Sequence, residues 1–498
     1  MSELHHSNAE SWYQAYNPLL DGIPNFKELA DVMDAIAFNP LKDIDIENLS
    51  FVERIGLLVG EKTPLEPTMQ STRAAMTWYG MLISGLRTRN PTIPINRTHY
   101  YRILKCAQDG NSKLPMAPTS GMSINVVRGP TGTGKSVTQK RFCACLPEVI
   151  DHGRVDDAGW LSMRQLVYLN VQISHDGTRG GFLMGILQEM DRALGTQYAI
   201  DMPKRFRTVE KLTVATIGRL IAHFCGILFV DEAQLRNLVD SGQAELMQMF
   251  LLLIMNSGIP LVLSGNERAF NWINYSQDIT RLTLTQESLF LPIGAANEEN
   301  ADDEWLTLSD GITAFYVLKN PIIDPQTCSQ YLRRFGGGIA RIALTLWCNT
   351  QLEALYKNQE SINPNDIQLA YESPAFDELR PLVDGFYYKK WELLTFYPDV
   401  DVDFYKRLWS PIDSNQPQSI PLQNDLINTG EKPKEKSKKP LSGQSKFKQE
   451  QKRQRNSEKK RALMMQSMSP EDIRRQGLAN INLKSLEEMK ARIERNEM

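Results

Sequence analysis

The sequence contains no apolar run as long as the roughly 18 residues that a membrane-spanning helix requires. The nearest candidate, MFLLLIMNSGIPLVLSG, carries Asn256, Ser257, Gly258 and Pro260 in its middle, which predicts a helix, a turn and a strand. The first residues, MSELHHSNAESWYQAYNP, lack the basic-then-apolar order of a secretory signal. We therefore expect a cytoplasmic protein with no membrane partner.

Cysteine and histidine are scarce, with six of each in 498 residues. The cysteines are scattered, none forms a CxxC pair, and none has a histidine nearby at the spacing of metal ligands. This pattern argues against a disulfide framework and indicates buried thiols in a reducing compartment.

An excess of positive charge is also missing, because the net charge of the chain is −3. The charge is uneven, since residues 431–462 hold 13 Lys and Arg against 4 Glu. An acidic body with a basic, low-complexity tail argues against a uniformly basic nucleic-acid coat. Any nucleic-acid contact by the body must come from a local patch. Residues 410–462 are poor in apolar side chains, which predicts disorder, and LKSLEEMKARI near the end predicts a short amphipathic helix.

Strands and helices alternate in the middle of the chain. Four nearly all-apolar stretches are predicted as strands: MSINVVRG, QLVYLNVQI, GILFVDE and PLVLSG. Helices are predicted between them, at about 135–147, 180–195, 208–224 and 241–256. Apolar strands that alternate with helices indicate a parallel sheet covered by helices on both faces. From Asp324 to about residue 372 the pattern is helical only. We therefore predict an α/β fold with a small all-helical lid and a disordered basic C-terminal tail.

The stretch GPTGTGKS matches the full phosphate-binding pattern G-x-x-x-x-G-K-[ST] between a predicted strand and a predicted helix. Its glycines let backbone N–H groups surround phosphates, and the helix N-terminus adds the positive end of its dipole. Lys135 supplies a positive charge to the β and γ oxygens of ATP, and Ser136 supplies a hydroxyl to Mg²⁺. The predicted nucleotide contacts are Gly129, Pro130, Thr131, Gly132, Thr133, Gly134, Lys135, Ser136 and Val137.

The strand GILFVDE ends in two carboxylates, Asp231 and Glu232. In a P-loop protein the first holds Mg²⁺ and the second polarises the attacking water. The alternative is that both merely cap the following helix. With the phosphate-binding loop upstream, we predict that Asp231 is a metal ligand and that Glu232 is catalytic.

Three further polar residues are candidates for the reaction. Asn266, after the strand PLVLSG, is placed to sense the γ-phosphate, with Ser264 as the second choice and a simple strand-end turn as the alternative. Arg281 is a candidate arginine finger that acts on the nucleotide of a neighbouring subunit. Arg341 is a candidate lid arginine that reaches the γ-phosphate. For both arginines the alternative is an ordinary surface position.

This order of phosphate-binding loop, acidic strand end, sensor, late arginine and helical lid resembles the AAA+ ATPases, in the clade with origin-recognition and transposition ATPases. Four stretches narrow the resemblance to the TnsC family, the AAA+ regulators of Tns-type DNA transposition: YNPLLDGIP, GLRTRNP, YLNVQISHDGTRGGFL with EMDRALGTQY, and FDELRPLVDGF. The similarity covers residues from about 11 to 390. The tail sequence departs from any pattern that could be matched.

The resemblance implies an ATP-dependent protein that forms a ring or helical filament on duplex target DNA in the bacterial nucleoid. It implies a target selector of the TnsD or TniQ type as one partner, and transposase subunits as another, bound through the tail. The alternatives are an AAA+ helicase loader or replication initiator, and a signalling NTPase without nucleic acid. The domains expected are an N-terminal accessory region for selector and DNA contacts (1–106), an ATPase core (107–320), a helical lid (321–375), a C-terminal extension (376–430) and the basic tail (431–498).

Basic residues in three stretches are candidates for sequence-independent contacts with the DNA backbone. For each one the alternative is a solvated helix face. The candidates are Arg87, Arg89, Arg97, Arg102, Lys105, Arg179, Lys204, Arg205 and Arg207.

Overall fold

The computed structural model describes residues 15–60, 63–111, 114–115, 123–173, 178–231, 257–267, 287–296 and 300–410. Its strands are β1 (Ile124–Arg128), β2 (Val149–His152), β3 (Met163–Leu166), β4 (Tyr168–Gln172), β5 (Ile227–Asp231), β6 (Leu261–Gly265) and β7 (Ser288–Leu289). The N-terminal helices are α1 (Leu29–Ile36), α2 (Phe51–Val59), α3 (Met69–Thr88) and α4 (Pro94–Gln108). The helices after β1 are α5 (Lys135–Ala144), α6 (Arg179–Leu194), α7 (Tyr198–Arg205), α8 (Val209–Ala222) and α9 (Ala301–Thr313). The remaining helices are α10 (Pro325–Gly336), α11 (Ala340–Tyr356), α12 (Pro364–Tyr371), α13 (Arg380–Tyr387), α14 (Trp391–Leu394) and α15 (Val402–Trp409).

The main sheet has five parallel strands in the order β4-β5-β6-β1-β7. β6 therefore lies between the strand that precedes the phosphate-binding loop and the strand that ends in Asp231. Because parallel strands end at the same edge of a sheet, the residues after β1, β5 and β6 meet there. This architecture confirms the predicted α/β fold with a parallel sheet.

The predicted strand QLVYLNVQI is divided between two sheets. β3 pairs antiparallel with β2, whereas β4 pairs parallel with β5, and the chain passes from one to the other at Val167. Apolar residues suit either sheet, so their pattern did not reveal the change of partner.

The long helix α3 packs on the main sheet. The side chain of Trp78 is fully buried. Its ring centroid lies 5.7 Å from that of Phe142 and 5.5 Å from that of Phe229. Its indole Nε1 donates to Asn125 Oδ1 at 2.9 Å, which ties α3 to β1. Part of the predicted accessory region therefore shares the apolar core of the sheet, although the boundary at residue 106 stays a prediction.

The helices α10, α11 and α12 form the small helical lid that the sequence predicted. Trp347 is buried in it, and its Nε1 donates to Phe315 O at 2.9 Å. The N-terminal helix α2 docks here through Arg54, whose side chain is only 8% exposed. Arg54 forms a two-pronged ion pair with Glu360, with N–O distances of 2.7 and 3.0 Å.

The described chain divides into two compact units. The first runs to Tyr371 and includes Val383–Val402, and it contains both sheets and the lid. The second comprises Glu372–Leu382 and, of the described residues, 403–410. Within it Arg380 pairs with Asp377 at 2.7 Å, and Tyr405 is buried with its ring 5.0 Å from that of Trp409. The predicted basic tail and residues 411–430 of the predicted extension lie outside the described residues. In the described ranges, no helix has both the length and the apolar character to cross a bilayer.

Candidate functional site

The phosphate-binding loop connects the central strand β1 to helix α5. β1 is held on both sides, by β6 and by β7, which fixes the start of the loop. Gly132 and Gly134 have φ values of +92° and +101°, a backbone region that favours glycine. At Gly129 an added Cβ would lie 1.9 Å from the carbonyl oxygen of Phe290, so only glycine fits. The loop is therefore shaped by its glycines as the motif predicts.

Lys135 begins helix α5 and lies half-buried beneath the loop. Its Nζ donates hydrogen bonds of 2.8 Å to the carbonyl oxygens of Gly129 and Pro130. Burial lowers the pKa of the Lys135 ammonium to about 8, against the opposing influence of three carboxylates, of which Asp231 is the strongest. A cation that is partly removed from water interacts strongly with an anion brought close to it.

The ends of β5 and β6 place two of the predicted residues near the loop. Asp231 is the last residue of β5, and Asn266 follows β6 directly with only 9% of its surface exposed. Both line the same cavity as Lys135. Ser264 is buried inside the sheet, and its hydroxyl has no hydrogen-bond partner among the described residues. Of the two sensor candidates, the structure brings Asn266 to the cavity.

The lid contributes Arg341 from the start of α11. Its backbone N–H donates to Gly132 O at 3.0 Å, and an added Cβ on Gly132 would lie 3.2 Å from the Arg341 Cβ. The preceding Gly338 has a φ of +75° and would clash with Ile293 O at 2.4 Å if it carried a Cβ. This glycine turn lets the lid helix start against the phosphate-binding loop, so Arg341 reaches the site.

These elements enclose one cavity of about 410 Å³. Its polar wall is formed by residues of the loop, by Ser136, and by Asp231, Asn266 and Arg341. Its apolar wall includes residues that the sequence motifs did not indicate. These are Leu65 from the segment between α2 and α3, Leu308 and Ile312 from α9, and Leu344 from α11.

Two acidic residues near the loop were also missed by the motifs. Glu267 is 6% exposed and accepts a hydrogen bond of 3.0 Å from the Asp401 backbone N–H. Asp399 accepts one of 3.3 Å from Thr131 Oγ1. The segment after α14 therefore contacts the phosphate-binding loop. Its residues carry no motif, so only the folded chain reveals this contact.

Glu232 and Arg281 lie outside the described residues. Their predicted roles, as the water-activating carboxylate and the arginine finger, stay predictions.

Arg89 is bound within the protein, which corrects its prediction as a DNA contact. Its Nε donates to Gly85 O at 2.9 Å, while Nη1 and Nη2 donate to Cys225 O at 2.7 Å and Gly226 O at 3.2 Å. Burial lowers the pKa of this guanidinium to about 10. Arg89 therefore joins α3 to the start of β5, and each of its three guanidinium nitrogens donates to a backbone carbonyl.

The other basic candidates have different surroundings. Arg97 donates to the carbonyl oxygen of Asp157 at 2.5 Å, and Arg179 lies 3.9 Å from Glu210 in an ion pair. Arg87 is half-buried in the last turn of α3. Arg102 is exposed on α4, and Arg207 is exposed after α7.

Two predicted basic clusters meet at the C-terminal ends of α4 and α7. The guanidinium of Arg205 donates to Gln108 O at 2.7 Å, which joins the two helix ends. Lys105 and Lys204 are exposed on these same ends. We call Lys105, Lys204 and Arg205 the basic face. Lys105 is about 100 residues from Lys204 and Arg205 in the sequence, and the packing of both α4 and α7 on α8 brings them together.

The residues of the cavity fit ATP with Mg²⁺. The Ser136 hydroxyl and the Asp231 carboxylate both line it, and Mg²⁺ prefers oxygen ligands from one or two side chains together with phosphates. Within the described ranges, no group of three His, Cys, Asp or Glu residues could hold a metal ion by itself. Ser136 and Asp231 are described residues that could hold Mg²⁺ here, and phosphate oxygens and waters are the further ligands that this ion takes.

Residues 119–273 match a family model described as an AAA domain. The match spans the phosphate-binding loop and the strands β5 and β6. With the parallel sheet and the helical lid, it identifies the fold as that of an AAA+ P-loop NTPase.

Several solved structures are similar to this chain. The Aeropyrum pernix ORC2 protein, in ADPNP–ADP complexes, is 13% identical over 65% of this chain and 74% of that one, with a TM-score of 0.38. The Aeropyrum pernix ORC1 protein in complex with DNA is 16% identical over 71% and 85%, with a TM-score of 0.36. The Thermotoga maritima RuvB Holliday junction branch migration motor is 12% identical over 62% and 82%, with a TM-score of 0.28. Among curated proteins, none matches this chain.

Proposed function

We propose that this chain is a Mg²⁺-dependent ATPase that assembles on duplex DNA and regulates DNA transposition. One observation carries the ATPase part of the proposal. A single cavity of about 410 Å³ is walled by the phosphate-binding loop, Asp231, Asn266 and Arg341, which come from four separate elements. Phosphoryl transfer depends on positioning and on stabilising negative charge, and these are the groups that do both.

Each residue has a defined task in this proposal. Lys135 places its positive charge beside the β and γ phosphates. Ser136 and Asp231 hold Mg²⁺, which neutralises charge on the phosphate oxygens when bound. Asn266 orients the attacking water, and Arg341 stabilises charge on the γ-phosphate from the lid. Glu232, the residue after Asp231, accepts the proton of that water.

A neighbouring subunit completes the site in this proposal. Arg281 would act in trans on the nucleotide of the adjacent copy, so hydrolysis would depend on assembly into a ring or helical homo-oligomer. ATP would then favour the assembled state, and hydrolysis would release it.

The proposed DNA and transposition roles rest on other observations than the cavity. Four short stretches between about residues 11 and 390 resemble the TnsC family, and the basic face offers exposed lysines to phosphates. We infer that the DNA contacts are sequence-independent. A target selector of the TnsD or TniQ type and transposase subunits bound by the C-terminal tail are the partners we propose.

The ATPase is tested with the wild type and with Lys135→Ala and Glu232→Gln. We expect Lys135→Ala to lose nucleotide binding, and Glu232→Gln to bind ATP but hydrolyse it far more slowly. Unchanged ATP affinity in Lys135→Ala would contradict the assignment of the loop. A normal turnover rate in Glu232→Gln would show that another group activates the water.

The DNA role is tested by filter binding of a labelled duplex with a non-hydrolysable ATP analogue at low and high salt. We expect binding that requires the analogue and weakens with salt. The assembled complex is then presented with purified transposase subunits and, separately, with a replicative helicase. Capture of the transposase alone supports the transposition role, capture of the helicase supports a helicase loader, and the absence of DNA binding removes both.

A further inference from the structure

Glu66 lies in the wall of the nucleotide cavity on a segment that no motif marks. The segment 63–66 joins α2, which docks on the lid, to α3, which packs on the sheet. Its Leu65 exchanges two backbone hydrogen bonds with Phe38, with lengths of 2.8 and 2.9 Å. This bridge fixes the backbone next to Glu66, so the side chain has a defined place in the cavity.

Glu66 packs tightly against helix α9. A Cβ added to Gly311 would lie 2.3 Å from the Cβ of Glu66 and 2.9 Å from its Oε2. Only a glycine therefore leaves room for this carboxylate beside α9. Leu308 and Ile312, on the same helix, line the cavity with it.

The carboxylate of Glu66 is half-buried in the wall of the cavity. Among the described residues, no N–H or O–H group donates to it. Burial, and then the nearby charge of Asp310, raise its pKa. A partly buried carboxylate in the wall of a cavity is placed to accept a hydrogen bond from a ligand that enters it.

The position of Glu66 decides which part of a nucleotide it meets. Beside the phosphates a carboxylate would repel the ligand, because both carry negative charge. Leu65, Leu308 and Ile312 give its surroundings an apolar character that suits the faces of a flat base. The donor that a purine base offers is an exocyclic amine.

We propose that Glu66 is the residue that selects the base: its carboxylate accepts a hydrogen bond from the N6 amine of adenine. The inference rests on the proposed ATPase function and specifies its substrate. Inosine would place an acceptor oxygen opposite Glu66, and an unsubstituted purine would have no hydrogen-bond donor at C6. Both lose the hydrogen bond that adenine makes.

The test measures binding to the full chain by displacement of a fluorescent, non-hydrolysable ATP analogue. The competitors are ATP, purine riboside triphosphate, ITP, GTP and 2′-deoxy-ATP. We expect the wild type to bind ATP about tenfold more tightly than purine riboside triphosphate, which is the loss typical of one hydrogen bond to a charged group. ITP should bind more weakly still. In Glu66→Met, which keeps the length of the side chain, ATP and purine riboside triphosphate should bind alike.

The matched control is Asp310→Asn, which removes a nearby carboxylate that does not line the cavity. It should keep the tenfold preference. Equal binding of ATP and purine riboside triphosphate by the wild type overturns the inference even if Glu66→Met does not fold. The inference is also overturned if Glu66→Met still prefers ATP to purine riboside triphosphate, or if the wild type prefers GTP to ATP. It is overturned as well if the substitution changes only the discrimination between ATP and 2′-deoxy-ATP. If no nucleoside triphosphate binds the wild type at all, the ATPase proposal itself fails.

Discussion

The backbone N–H of Arg341 donates a 3.0 Å hydrogen bond to the carbonyl oxygen of Gly132. The lid helix α11 therefore begins directly on the phosphate-binding loop, although 208 residues separate the two positions in the sequence. A nucleotide that reshapes this loop will act on the lid through that contact.

Replacing Arg341 with alanine should slow hydrolysis without preventing nucleotide binding. The backbone contact with Gly132 is kept, while the charge that we propose for stabilising the γ-phosphate is lost. We expect kcat to fall by about a hundredfold, as for the loss of one group that stabilises charge in a transition state. Steady-state ATPase kinetics measure this effect. Thr345→Ala, one turn further along α11 and outside the cavity wall, should be near normal. A large rise in KM with unchanged kcat would show that Arg341 serves binding only.

Nucleotide affinity should decrease above pH 8. Burial lowers the pKa of Lys135 to about 8, so its ammonium loses a proton above that pH in the free protein. Phosphates bind the charged form, and binding at about pH 9 must therefore take up a proton. Calorimetric titration in two buffers of different ionisation enthalpy measures this uptake. At pH 6 the lysine is charged before and after binding, so its contribution to proton uptake should vanish. Lack of uptake at pH 9 would mean that the free lysine is already charged.

Lys105→Ala and Lys204→Ala should each weaken duplex binding and reduce its salt dependence. Each lost phosphate contact lowers the slope of log affinity against log salt by about 1. Filter binding over a salt series gives the slope. Lys357→Ala, an exposed lysine on the lid, is the control with the same charge change. Equal slopes for Lys204→Ala and Lys357→Ala would remove the basic face from the DNA contacts.

Arg89→Met should instead lower the stability of the fold, because it breaks three hydrogen bonds to backbone carbonyls.

Trp78→Ala should destabilise the first unit strongly. The indole is fully buried against Phe142 and Phe229, and its loss leaves a large cavity. We expect a loss of about 3–5 kcal/mol, measured by urea unfolding. Met69→Ala, on the same helix but 47% exposed, should cost much less. A small effect of Trp78→Ala would mean that α3 is not part of the core.

Local patterns in the sequence predicted the parallel sheet, the phosphate-binding loop and the place of Asp231. These features depend on contiguous residues: glycines with positive φ, an apolar strand and a lysine at a helix start. Asn266 and Arg341 were predicted as candidates from their positions, the first directly after the strand PLVLSG and the second in the helical lid. The apolar wall of the cavity could not be predicted in this way. Leu65 and Leu308 carry no pattern of their own, and only the folded chain brings the segment before α3 and helix α9 to the same cavity.

Charge alone also did not predict which basic residues are exposed and which are bound within the protein. Arg89 and Lys105 look alike in the sequence, as cations in a stretch without acids. The structure separates them, because the carbonyls of Cys225 and Gly226 face Arg89, whereas Lys105 is exposed. Which carbonyls approach a guanidinium depends on how helices pack, and that information is not local.

The packing of α3 has a practical consequence for expressing parts of this chain. The match to the AAA domain model begins at residue 119, which invites the choice of that residue as the start of an ATPase fragment. Such a fragment would lack Trp78, leaving Phe142 and Phe229 exposed to water, and would lack one wall of the cavity. We expect it to aggregate when produced alone. Soluble fragments should start before Tyr16, whose backbone carbonyl accepts a 2.9 Å hydrogen bond from the Asn90 side chain.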